Sequence, residues 1–121
     1  MLIATSNKAN RLLFLSFVGH IRLEELARQR EDIKALLGDL LPCFRLLADF
    51  THFESMDVDC VTELGRTMDM LDQTCVERVV RVIPEPRRDP GMNILTVFHY
   101  RKHPHVMTCS KLAEAAKALS L

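Results

Sequence analysis

Apolar residues in this chain fall alternately into short strand-length runs and into stripes with helical spacing. The short runs predict β-strands at residues 2–5, 11–18, 44–50, 76–84 and 105–108. The stripes predict α-helices over residues 22–40, 61–71, 89–100 and 112–119. This order predicts an α/β fold, with a mostly parallel, mixed five-stranded sheet, one antiparallel edge strand and about four helices.

The stretch FRLLADFTHFESMDVDCVTELGRTMDML, residues 44–71, is the part of the chain where we expect function. A buried strand is followed by a predicted loop, residues 51–60, that carries the carboxylates of Glu54, Asp57 and Asp59. Such strand-to-helix loops lie at the carboxyl end of a sheet, where ligands and partners usually bind. Either Asp57 or Asp59 is placed to cap the next helix. The buried stripe of that helix is predicted at Val61, Leu64, Met68 and Leu71.

Length and composition favour one globular domain, residues 1–121. Apolar residues make up 48% and charged residues 26%, which is ordinary for folded soluble proteins. Sixteen basic side chains balance sixteen acidic ones, so net charge gives no argument for nucleic-acid binding. No apolar run approaches the roughly 20 residues of a spanning helix, so we expect no membrane insertion.

The cysteines are scattered and form no CxxC pair. They are Cys43, Cys60, Cys75 and Cys109. Nothing at the N-terminus resembles a secretory signal. The simplest interpretation is a cytoplasmic protein with reduced thiols.

Two short segments carry a resemblance to a known family. LLADF at residues 46–50 and ESMD at residues 54–57 resemble the strand end and following motif of STAS domains, the family named for sulfate transporters and anti-sigma-factor antagonists. The predicted element order resembles the small stand-alone members over nearly the whole chain. The resemblance implies a regulatory, protein-binding role of bacterial type. The apolar helical layers also resemble lipid-binding domains of the Sec14 type, although this chain is much shorter.

The chain departs from the STAS pattern at the position that matters most for regulation. In the family, the hydroxyl directly after the motif Asp is phosphorylated by a partner kinase, and that position here is Val58. The next position, often Ser or Thr, is Asp59, and the motif Gly is Cys60. Val58 cannot accept a phosphate. A fixed carboxylate at Asp59 could imitate a permanently charged state, which is a hypothesis.

Three groups of polar residues suggest chemistry, and each has a plainer interpretation that we favour. Asp49, Asp57 and Asp59 could bind a cation or act as an acid/base pair, but capping and loop hydrogen bonds account for them. Zinc-binding residue types recur at His99, His103, His105 and Cys109. Their spacing across Pro104 fits no zinc pattern and indicates a basic helix end.

Arg87 and Arg88 could hold an anion at a helix N-terminus, although Asp89 fills the cap position and favours a solvated loop. We therefore predict no catalytic residue, no metal site and no cofactor. The favoured function is a non-enzymatic protein-interaction module with an unidentified protein partner, or with a second copy of itself. The predicted contact residues are Glu54, Met56, Asp57, Val58, Asp59, Cys60, Glu63, Arg66, Thr67 and Met70.

The alternative is a carrier of a small apolar or lipid-like ligand held between the sheet and the helices. An enclosed pocket of roughly 300 Å³ or more would support it. The predicted lining residues are Phe14, Phe17, Met92 and Phe98.

Overall fold

The computed structural model describes residues 1–40, 43–84, 100 and 104–121. Its elements are β1 (Leu2–Asn7), β2 (Leu12–Ile21), α1 (Leu23–Leu37), β3 (Phe44–Met56), α2 (Cys60–Gln73), β4 (Val76–Val82), β5 (His105–Cys109) and α3 (Leu112–Ala118). The sheet order is β1-β2-β3-β4-β5, with β1 antiparallel to β2 and every later pair parallel. The predicted α/β sheet with one antiparallel edge strand is confirmed. Of the predicted helices, the one over 89–100 lies outside the described residues apart from its last position.

Apolar layers cover both faces of this sheet. On one face, Leu46 packs in a large core with Ile33 of α1 and Leu64 of α2. On the other face, Leu47 packs in a smaller core with Ala115 of α3. Neighbouring residues of a strand point to opposite faces, so a strand buried on both sides reads as a continuous apolar run. In the described part of the chain, no helix is both long and apolar enough to cross a membrane.

Strand β3 is longer than the sequence predicts, because residues 51–56 belong to it and not to a loop. Its pairing with β2 continues to the Ile21–Met56 register pair. Phe53 is buried in the core, and its ring meets that of Phe50 edge to face at a centroid distance of 5.6 Å. The polar side chains of residues 51–56 face outward. Because the segment contains so many polar residues, its sequence resembles that of a loop. The true loop before α2 is therefore only residues 57–59.

Cys43 and Cys75 form a disulfide, with Cα atoms 4.9 Å apart. The prediction of four reduced thiols is wrong for this pair. Each cysteine directly precedes a strand, and the first residues of those strands, Phe44 and Val76, are register partners. Two parallel neighbouring strands start at the same edge of the sheet, so cysteines 32 positions apart in sequence become neighbours. Among the described residues, Cys60 and Cys109 are the buried free thiols.

Candidate functional site

Residues 55–59, which we call the acidic corner, lie where the parallel strands β2 and β3 end and α2 begins. Met56 and Asp57 are half-buried, and Val58 and Asp59 are exposed. The Val58 residue is 89% exposed, which is a large fraction for an apolar side chain. The sequence therefore predicted the location of this corner correctly.

Asp57 holds the corner together through its backbone and both carboxylate oxygens. Its N–H donates to the Ile21 carbonyl at 3.1 Å. Its Oδ2 accepts a hydrogen bond from the Leu23 N–H at 3.1 Å, and its Oδ1 lies 2.9 Å from His20 Nε2. The Leu23 N–H and then the His20 ring lower the pKa of the Asp57 carboxyl. Asp57 is therefore ionised at neutral pH.

The capping prediction for α2 is wrong for both carboxylates. Asp57 caps the start of α1, where the N-cap residue Arg22 makes no side-chain capping bond. Asp59 occupies the N-cap position of α2 but also makes no side-chain capping bond. At this end of α2, the Cys60 N–H donates to the Asp57 carbonyl oxygen at 2.9 Å. The side chain of Asp59 is left facing solvent at the tip of the corner.

His20 is the residue of this site that sequence reasoning missed. Its Nδ1 lies 2.7 Å from Ser55 Oγ, while its Nε2 contacts Asp57. His20 and Ser55 are register partners across β2 and β3. They are 35 positions apart in sequence. Only the pairing register of β2 and β3 brings them together. The predicted strands ended at residues 18 and 50, so they did not include His20 or Ser55.

Three of the predicted contact residues on α2 point inward, so we remove them from the surface. Cys60, Glu63 and Thr67 are buried, and Val61, predicted to be buried, is 44% exposed. The predicted buried positions Leu64, Met68 and Leu71 are confirmed, and at the start of the helix Cys60 is buried in place of Val61. Burial, followed by the charge of Asp57, raises the pKa of Cys60, so this thiol is a packed group.

Glu63 joins α2 to α1 through two ion pairs. Its Oε1 lies 2.9 Å from Nη1 of Arg30, and its Oε2 lies 3.1 Å from Nη1 of Arg66. The Glu63 side chain is only 6% exposed, whereas that of Arg66 is 62% exposed. Arg30 of α1 therefore has a carboxylate partner on the side of the helix that faces α2.

A shallow groove runs between α1 and α2 away from the acidic corner. Near the corner it forms a surface pocket of about 310 Å³, whose lining includes Leu23, Asp59 and Arg66. Farther along, a second depression of about 440 Å³ is lined by residues that include Arg66 and Met70. Arg66 therefore connects the two, and the predicted residues Arg66 and Met70 border the same groove.

Among the described residues, Asp49, His105 and Cys109 belong to the other groups that the sequence suggested for chemistry. Asp49 is buried in β3, where its Oδ1 accepts from the Thr51 N–H at 2.9 Å, as the plainer interpretation predicted. His105 and Cys109 lie at opposite ends of β5. His99, His103, Arg87 and Arg88 lie outside the described residues. Within the described ranges, no three His, Cys, Asp or Glu side chains are grouped to hold a metal ion.

The described residues do not form the predicted enclosed pocket, because Phe14 and Phe17 lie on opposite faces of the sheet. Phe17 is buried in the large core, stacked on Phe50 at a centroid distance of 4.5 Å. Phe14 lies on the other face and lines a surface pocket of about 340 Å³ together with Leu47 and Ala116. Met92 and Phe98 lie outside the described residues.

Similarity to known proteins is visible in the fold and not in the sequence. No protein-family model matches the chain, and no curated protein matches it. The structure of the anti-sigma factor antagonist SpoIIAA in its unphosphorylated form is similar over 99% of this chain and 98% of that chain. The TM-score is 0.68 at 16% sequence identity. The chain has a STAS-like fold.

Two further structures have the same STAS-like architecture. An uncharacterised protein from Shewanella loihica PV-4 with a SpoIIAA-like fold gives a TM-score of 0.74 at 11% identity, over 98% of this chain and 92% of that one. An anti-sigma factor antagonist from Mycobacterium paratuberculosis gives 0.60 at 18% identity, over 100% and 94%. At such identities, similarity establishes the fold, and roles for individual residues must be argued from geometry.

Proposed function

We propose that this chain is a non-enzymatic, regulatory protein-interaction module that binds its partner through the acidic corner and the adjoining exposed side of α2. The observation that carries the proposal is the exposure of Val58 at the carboxyl end of β3, next to the carboxylates of Asp57 and Asp59. Adjoining exposed apolar side chains rimmed by charge are typical of a protein interface, and Val61 is exposed beside Val58 in this way. The similarity to anti-sigma factor antagonists supports a regulatory role of this kind.

The proposed surface has an apolar centre and a charged rim. Val58 and Val61 are the exposed apolar residues of the first turn, with the Val61 N–H donating to the Val58 carbonyl at 3.5 Å. The revised set of contact residues is Glu54, Met56, Asp57, Val58, Asp59, Val61, Arg66 and Met70. The carboxylates beside Val58 would favour a partner with basic groups around an apolar patch.

The corner is suited to constitutive binding. Val58 has no hydroxyl, so the phosphorylation that the STAS resemblance implies cannot occur at this position. Asp59 places a permanent negative charge at the next position, exposed and without a side-chain capping bond. We propose that the partner recognises this fixed charge.

Affinity capture from a native lysate tests the surface. Asp57 should be kept, because it caps α1, so the test variant is Val58→Lys/Asp59→Lys. The matched control is Asp32→Lys/Ala35→Lys, which makes the same kind of change at two exposed positions of α1. Wild type and control should retain the same proteins, and the test variant should lose at least one of them by about tenfold or more. Equal retention by all three would refute the proposed surface.

The partner could also be a second copy of this chain, and sedimentation separates the two cases. If the corner forms a homodimer, wild type and the α1 control should sediment as dimers and Val58→Lys/Asp59→Lys as a monomer. A monomer for all three at high concentration leaves only a different protein as the partner.

A second candidate function is the carriage of a small apolar ligand, which the pocket beside Phe14 favours. This pocket of about 340 Å³ is large enough for a small ligand, and Leu47, Leu112 and Ala116 contribute to an apolar lining. Ala116→Phe should fill it. If the chain is a carrier, a fluorescent fatty-acid analogue should bind wild type and bind Ala116→Phe at least about tenfold more weakly. Equal binding to both proteins, or none to wild type, excludes this pocket.

A further inference from the structure

Ser55, His20 and Asp57 form a connected set of a hydroxyl, an imidazole and a carboxylate. Ser55 Oγ lies 2.7 Å from His20 Nδ1, and His20 Nε2 lies 2.9 Å from Asp57 Oδ1. A hydroxyl within hydrogen-bond reach of a base that is oriented by a third group is the usual arrangement for an activated nucleophile. The contact of His20 with Asp57 helps to fix the acidic corner, whereas the contact of His20 with Ser55 is not needed to cap α1.

The hydrogen bonds define where the protons lie. The pKa of Asp57 is lowered, first by the Leu23 N–H and then by the His20 ring, so its carboxylate can only accept hydrogen bonds at neutral pH. His20 Nε2 must therefore carry the hydrogen toward Asp57. In the neutral ring, Nδ1 then has a lone pair, and the Ser55 hydroxyl donates to it. Nδ1 and Nε2 exchange the roles that they have in the Ser-His-Asp triad of serine proteases.

The backbone holds the three side chains in place. A register irregularity in the β2–β3 pairing falls between Gly19 and His20, and Gly19 has φ +68°, a conformation that favours glycine. The next register pair places His20 opposite Ser55. Asp57 is fixed through both carboxylate oxygens. The side chains of His20 and Asp57 are 45% and 43% exposed, so a reagent from solvent can reach the site.

We propose that Ser55 is an activated nucleophile that accepts acyl groups from activated esters, with His20 as its general base and Asp57 as the positioning residue. Ser55 Oγ forms a bond to the carbonyl carbon of the ester, and its proton passes to His20 Nδ1. The bond from that carbon to the leaving alkoxide or phenolate breaks, and the leaving group departs with the electron pair. The product is an ester of Ser55, and no oxidant or other co-reactant is needed.

Acylation of the full chain by p-nitrophenyl acetate, with the site found by peptide mass spectrometry, tests this proposal. Ser55 should be the principal acetylated serine, and Ser55→Ala should remove that label. His20→Gln, which keeps a polar side chain but offers no comparable base, should slow acetylation of Ser55 by about tenfold or more. Ser110→Ala is the matched control, because Ser110 is exposed and its Oγ contacts Glu114 and not an imidazole.

Several outcomes would overturn the assignment. Ser6 or Ser110 labelled as fast as Ser55 would mean that Ser55 is an ordinary hydroxyl. A label that stays on the His20 ring or on lysines alone would mean that the imidazole or amines react without the serine. If His20→Gln is folded, as checked by circular dichroism, and its Ser55 is labelled as fast as in wild type, then His20 is not the general base. These results are independent of whether the corner binds a partner.

Discussion

The Asp57 carboxylate caps α1 by accepting a hydrogen bond from the Leu23 N–H at 3.1 Å, although Asp57 itself lies in the loop before α2. A residue of the connection between β3 and α2 therefore caps α1, the helix that follows β2. Two consecutive units of the fold are joined at the carboxyl end of the sheet, and the acidic corner cannot move without disturbing the start of α1. Such fixing preorganises a surface for binding.

Asp57→Ala should lower the midpoint of thermal unfolding more than Asp59→Ala does. The first substitution leaves the Leu23 N–H without its capping acceptor and removes the contact with His20. The second removes an exposed carboxylate that makes no capping bond. Circular dichroism melts of the two variants and wild type measure the difference. An equal effect of both substitutions would contradict the role of Asp57 in capping α1.

Asp57 should also make stability depend on pH in acid. Hydrogen bonds from the Leu23 N–H and His20, with smaller contributions from the charges of His20 and Arg22, hold its pKa below the ordinary value of 3.8. A carboxyl whose pKa is lower in the folded chain stabilises the fold above the unfolded pKa, and this stabilisation is lost as the pH falls through the folded pKa.

Urea denaturation of wild type and Asp57→Asn over a range of pH measures this effect. The difference in unfolding free energy between the two proteins should be largest above about pH 5 and should shrink below about pH 4. A difference that grows toward acid would show that the pKa of Asp57 is shifted in the other direction.

Glu63→Ala should destabilise the chain by about 2 kcal/mol. The substitution removes the buried carboxylate that pairs with Arg30, so the Arg30 charge is left without its partner. Arg66→Ala should cost about 0.5 kcal/mol or less, since its side chain is 62% exposed and water replaces the ion pair. Urea denaturation of both variants and wild type compares the costs. A larger cost for Arg66→Ala would mean that the exposed pair, and not the pair with Arg30, holds α2 on α1.

Reduction of the Cys43–Cys75 disulfide should lower the free energy of unfolding by roughly 3.7 kcal/mol, from the entropy of closing a loop with a sequence separation of 32. Urea denaturation with and without reductant measures this loss. The Cys43→Ser/Cys75→Ser variant should behave like reduced wild type and should not respond to reductant. If reductant does not change the stability of wild type, the disulfide is absent.

The cytoplasmic location stays a prediction. A reducing compartment such as the cytoplasm opposes disulfide bonds.

Local patterns were sufficient to predict the order of the described strands and helices and the position of the acidic corner at the carboxyl end of the sheet. Apolar periodicity depends only on nearby residues, and a parallel α/β order leaves few topologies. The end of β3 could not be predicted in this way. In its last part Phe53 is buried and the residues on either side of it are exposed and polar, without a regular alternation, and only pairing with β2 shows that they are a strand.

The details of the site depended on contacts between distant parts of the chain. The stripe of α2 was predicted from Val61, but packing buries Cys60, whose Sγ lies 3.7 Å from the Ile21 carbonyl oxygen. The pairing of His20 with Ser55 and the disulfide follow from the register of parallel neighbours. A register of this kind leaves no mark in either strand alone, so these features could not be predicted from the sequence.

Cys43 and Cys75 stand on either side of β3, the acidic corner and α2, so the disulfide turns this part of the chain into a covalent ring. A protease that nicked the exposed backbone near Val58 would open the ring without releasing either piece. The nicked protein should migrate as one band on a non-reducing gel and as two bands after reduction. The two pieces of the segment that carries the proposed contact surface would therefore stay linked after a cut that would separate a chain without this disulfide.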